Sequence, residues 1–123
     1  MQKSKFVHLL LVFLAMLCFV SCEYDTIELE SVVIPPDQEI SFSQDIIPIF
    51  NSNCVECHDG GTDPDLREAN AYNSLINGGY VNVDNPENSG LYTVLLGGSH
   101  FTRASAQEKE LILEWIKRGA NDN

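Results

Sequence analysis

The sequence predicts an all-α domain over residues 41–123, carried behind an export signal and an acidic tether. Three observations predict it. The closing segment "SAQEKELILEWIKRGA" repeats apolar residues at helical spacing (Leu111, Ile112, Trp115, Ile116). The remaining apolar groups form short helical segments parted by Gly-rich loops, Asn77-Gly78-Gly79 and Gly97-Gly98. No internal repeat or low-complexity tract interrupts them.

The first 21 residues are set apart. Lys3 and Lys5 precede an unbroken apolar run of 12 residues, Leu9 to Val20. A bilayer span needs about 20 residues, so the run suits the core of a signal peptide. It ends in "FVSC", which resembles a bacterial lipobox: Ser21 is the small residue before Cys22, and Phe19 stands where leucine is commoner. Acyl chains on Cys22 would serve as the anchor, several together holding where one binds weakly. Removing residues 1–21 takes two lysines and no acid, leaving 5 basic against 18 acidic side chains, a balance of −13. Such a surface disfavours nucleic acid and anionic lipid. It serves solubility and would favour a basic partner.

Residues 22–40 read as a lipidated tether, since "EYDTIELESVVIPPDQEI" is acidic, holds Pro35-Pro36 and has no clean period. Three helices then precede the last. "SQDIIPIFNSNC" places Ile46, Ile47 and Phe50 on one side, with Ser43 as the expected N-cap and Pro48 near enough to the start to be tolerated. "REANAYNSLING" offers Tyr72, Leu75 and Ile76. "SGLYTVLLGG" makes a short helix ended by its glycines. In the last helix Ser105 and Glu108 form a capping box, Lys117 and Arg118 suit the negative end, and Gly119 terminates. Trp115 is expected in the core, and Tyr72, Tyr80 and Tyr92 in core or cofactor-edge packing.

The chemistry concentrates in "NSNCVECHDG". Cys18 leaves with the signal and Cys22 is the lipid site, so Cys54 and Cys57 are the remaining thiols. On a helical turn they stand i and i+3, with His58 at i+4 from Cys54. Two thiols on one face can each add S–H across a vinyl group of haem, and the adjacent imidazole can meet the iron. This is the c-type haem attachment signal. A zinc site would need four ligands from Cys54, Cys57, His58 and His100, with adjacent Cys57 and His58 strained onto one tetrahedral ion. A redox dithiol would want a βαβ setting, and a disulfide would close too short a loop to stabilise much. Asp59, Asp63 and Asp65 lack calcium-loop spacing and read as a solvated loop.

From Phe42 to Asn123 the chain resembles a small c-type cytochrome domain of bacterial exported proteins. The matching stretches are "DIIPIFNSNCVECH", "DPDLR", "ENSGLY" and "LILEWIKRGANDN". The resemblance implies one covalent haem c, crossing first and last helices with Phe50 and Trp115 near the crossing, and a Pro-x-Leu loop against the histidine side. By it, the Pro64 carbonyl would accept from His58 Nδ1–H and Leu66 would touch the ring. The family's usual second axial ligand is a methionine before the last helix. Here Met1 and Met16 both leave with the signal. His100, in "LLGGSHFTRASAQ", occupies that loop, and Gly97 and Gly98 would let the backbone approach the haem. His58 and His100 are the two histidines of the mature chain. Lys109 or water are the alternatives to His100.

The expected function is electron transfer by a membrane-anchored, exported lipoprotein of a Gram-negative bacterium, facing the periplasm or the cell surface. No enzymatic step is expected. Its partner would be a redox protein, with a basic docking face. The alternatives are a five-coordinate haem sensor or peroxidase-like protein, and a haem-free structural lipoprotein.

Overall fold

The computed structural model describes Val7 and residues 32–123. The expected signal peptide, the lipidation site Cys22 and most of the tether lie outside the described residues. Among those described there is no strand, and the architecture is all-α.

A π-helical turn, Phe42–Ile46, leads into α1, Ile47–Asn53. The N-cap is Ser41, not the expected Ser43: Ser41 Oγ accepts from Gln44 N–H at 3.2 Å. Ser43 is used elsewhere, its hydroxyl and amide both donating to the main-chain oxygen of Asn123 at 2.9 Å. Phe42 N–H donates to the Asn123 side chain at 2.9 Å, so Asn123 helps fix where the first helix starts. Pro48 falls within the first two residues of α1, where the π-helical turn passes into the α-helix. Helix α2 is Ala71–Asn77 and α3 is Gly90–Thr93. Three single 3₁₀ turns, Pro86–Asn88, Val94–Leu96 and Gly98–His100, flank α3 or follow it. The long final helix α4 is Ala106–Lys117.

Helix α4 forms as its sequence dictates. Ser105 N–H donates to Glu108 Oε2 at 2.7 Å, and Glu108 N–H to Ser105 Oγ at 3.2 Å, closing both halves of the capping box. Its apolar stripe buries Ile112, Trp115 and Ile116 against Ile46, Phe50, Leu75 and Leu91. At its far end Glu114 pairs with Lys117 at 3.2 Å and Arg118 at 3.1 Å.

The ring that pairs with Trp115 is Phe42, at 5.1 Å between centroids. Phe42 also takes Tyr72 edge-on at 5.3 Å and Phe50 edge-on at 6.3 Å. Phe42 thus holds the place between first and last segments that the family resemblance gave to Phe50. Phe42→Ala is expected to cost about 3–5 kcal/mol, the range for emptying a buried aromatic site. Urea unfolding should show a lower midpoint at unchanged slope; a loss under about 1 kcal/mol would contradict this packing.

The end of the expected tether belongs to the domain. Ile34 and Ile40 are buried in the core, and Val32 packs on it. Arg118 donates to the carbonyls of Gln38 and Pro35, the latter at 3.1 Å. The packed domain therefore reaches back before Ser41 to at least Ile34, and the Arg118 guanidinium fork ties that segment down through two of its carbonyls.

Candidate functional site

Beyond Asn53 the chain makes one more helix-like turn. Cys57 N–H and His58 N–H both donate to the Cys54 carbonyl, at 3.1 and 3.0 Å. This turn presents Cys57 to solvent and leaves Cys54 and His58 half-buried. Both cysteines are free thiols. Burial is the main cause pushing the Cys54 thiol above its usual range, with Glu108 adding to it and Arg103 opposing.

His58 is held by the loop that follows. Its Nδ1 lies 3.1 Å from the Pro64 carbonyl and 3.3 Å from that of Thr62. Carbonyl oxygens only accept, so Nδ1 carries the proton and the neutral ring keeps its lone pair on Nε2. Leu66 is buried, and its N–H donates to the His58 carbonyl at 2.9 Å. Asp65 fastens the same loop from outside. It accepts from Arg67 Nε at 2.9 Å, Arg67 Nη2 at 2.6 Å and Asn70 Nδ2 at 2.7 Å. The Arg67 guanidinium, first among these, holds the Asp65 carboxyl far below the usual carboxylate range. Asp65 N–H reaches Ser74 Oγ in α2 at 2.8 Å. Gly60, at φ +96°, completes the loop: a Cβ there would stand 2.5 Å from Arg67 Nη2.

The Asp cluster does not converge on an ion. Asp65 is taken by Arg67, and Asp59 Oδ1 accepts from Gly61 N–H at 3.2 Å. Among the described residues no group of three or more His, Cys, Asp and Glu side chains could hold a metal ion. The four-ligand zinc arrangement is not assembled among them, and the described residues, which hold no strand, offer no βαβ setting for a redox dithiol.

His100 comes back to His58. It ends the turn Gly98–His100, where Gly98 takes φ +60°. The two imidazole centroids are 6.2 Å apart, their planes inclined at 45°. A metal–imidazole bond is about 2 Å and a ring centroid lies roughly 1 Å behind its nitrogen, so two imidazoles on opposite sides of one metal stand about 6 Å apart. At a tetrahedral angle the same bonds give about 5 Å. The observed gap is one that two imidazoles holding a single metal ion could take. His100 Nδ1 faces Ser99 Oγ at 3.4 Å. Lys109, the alternative ligand, is engaged elsewhere: its Nζ donates to the Phe101 carbonyl at 2.6 Å and lies 4.2 Å above the Phe101 ring.

The donor set therefore suits a c-type haem: two free thiols on one turn, one oriented imidazole beside them, and a second imidazole 6.2 Å from the first. Near His100 the chain also exposes large apolar side chains, Val94 at 43%, Leu96 at 50% and Phe101 at 55%, surface that an apolar macrocycle could cover. Sequence reading missed Thr62, Ser74, Asn53 and the Lys109–Phe101 contact, all long-range or main-chain bonds without a spacing pattern. The exposed apolar run beside the Gly97-Gly98 break was the available signal for Val94, Leu96 and Phe101. No protein-family model, curated protein or solved structure matches the chain.

Proposed function

We propose that this protein is a mono-haem c-type cytochrome that carries electrons, with His58 and His100 as its two axial ligands. The observation that carries the reading is the 6.2 Å separation of the two imidazole rings, one of them directly behind the Cys54/Cys57 pair. When bound, haem c supplies a one-electron ferric/ferrous couple.

The chain's own residues do the rest. Cys54 and Cys57 would hold the group, each thiol adding its S–H across a vinyl group to give a thioether. Pro64 keeps the His58 proton on Nδ1, which would leave Nε2 free to hold the metal and make the imidazole more basic. Leu66 would pack beside the group, and His100 would supply the second imidazole. Thioether ligation raises the potential of His–Met cytochromes, so the bis-histidine couple lies below theirs.

The lipid anchor at Cys22 and the exported location complete the proposal, resting on "FVSC" after the apolar run. Acyl mass on an N-terminal Cys22 of the processed protein checks it. The acidic surface would suit a redox partner with a basic face. Carbon monoxide added to the reduced protein at neutral pH tests the ligation: a six-coordinate iron resists it, whereas fast binding would mark an open site and favour a sensor or peroxidase-like protein.

A further inference from the structure

The first turn of α4 touches the chain on both sides of the histidine gap. Glu108 Oε1 accepts from Asn53 Nδ2 at 3.1 Å, and Asn53 is the last residue of α1, next to Cys54. The next residue, Lys109, donates to the carbonyl of Phe101 at 2.6 Å, and Phe101 follows His100. The capping box fixes this turn, with Glu108 using its other oxygen, Oε2, for Ser105 N–H.

The His100 side has little else to hold it. Residues Gly97–Arg103 are exposed apart from the half-buried His100. Within the turn, Phe101 N–H bonds Gly98 O at 3.3 Å and Arg103 N–H bonds His100 O at 3.0 Å. A Cβ on Gly97 or Gly98 would meet nothing within 4 Å, so the ground before His100 is open. Segments with few buried contacts and exposed hydrogen bonds open at low free energy.

We infer that Glu108 and Lys109 are positioning residues that set the distance between His58 and His100, Glu108 through Asn53 and Lys109 through the Phe101 carbonyl. The inference rests on the bis-histidine reading. Lys109 acts as a latch: while its ammonium holds Phe101, the His100 ring stays opposite His58. When the latch is lost, His100 leaves more readily, although the core beneath is untouched.

The test uses the full haem-loaded protein and its Lys109→Leu, Lys109→Arg, Asn53→Ala and His100→Ala variants. Lys109→Leu keeps an apolar stem over Phe101 and a helix-forming residue, and removes only the charged donor. Losing one charge-assisted hydrogen bond should shift the equilibrium between attached and detached His100 roughly tenfold. It should be read as a larger high-spin fraction and faster carbon monoxide binding. Lys109→Arg should restore the parent spectrum, which a general loss of stability would not explain. Asn53→Ala breaks the other arm without touching the capping box and should loosen ligation in the same direction, so the inference stays testable if Lys109→Leu does not fold. Parent-like spectra in both Lys109→Leu and Asn53→Ala would overturn it. In that case a high-spin His100→Ala leaves the ligand reading standing, whereas a low-spin His100→Ala overturns that reading and the inference together.

Discussion

Replacing His100 with alanine should turn a low-spin, carbon-monoxide-resistant protein into a high-spin one that binds the gas on reduction. The effect is expected to be large because the substitution vacates a whole ligand position. No other side chain among the described residues is poised to take its place. From residue 22 onward the sequence holds no methionine and one other histidine, His58, whose ring centroid lies 6.2 Å from that of His100. Lys109 is bound to the Phe101 carbonyl and lies over its ring. Water is what remains, and water leaves the iron open. A low-spin spectrum unchanged in His100→Ala would refute the assignment.

The second large effect belongs to the thiols. Cys57→Ala should leave at most one thioether, on Cys54, and a less stable domain. Loss of a covalent staple costs a small exported domain about 2–5 kcal/mol, and with one link retained the lower end is expected. The loss matters because a domain of this size builds a limited core. Intact-mass analysis and urea unfolding read the two consequences separately. A Cys57→Ala protein with parent-like stability and both links intact by mass would contradict the role of Cys57.

What the sequence made legible was local chemistry. The capping box of Ser105 and Glu108, the apolar stripe of α4 and the turn carrying Cys54, Cys57 and His58 are patterns within a few residues. All three form as read. The Pro64 carbonyl stands at His58 Nδ1, as the family resemblance implied. The approach of His100 to His58 was legible from its place in the Gly-rich loop before the last helix and from scarcity, since residues 22–123 hold two histidines. Contacts across the chain were not legible. Ser41 and Ser43 are equally good caps by type; both hydroxyls donate to the main-chain oxygen of Asn123, 80 or more residues away, and the Ser43 amide is drawn there too, while Ser41 Oγ also accepts from Gln44 N–H. Ile34 and Ile40 have no period to mark them as core, and Arg118 draws their segment in by hydrogen bonds that leave no spacing signature. Phe42 was overlooked as the aromatic hub for the same reason. It lies at the very start of its helix, where periodicity has nothing before it to compare.

The most direct measurement is the intact mass of the purified, processed polypeptide before and after acid–acetone extraction, with its visible spectrum taken on the same sample. After expression with haem-maturation machinery, the polypeptide should gain the mass of one haem that extraction does not remove, and should show a Soret band. A haem that extracts completely, or a chain that shows neither the added mass nor the band, would contradict covalent attachment at Cys54 and Cys57.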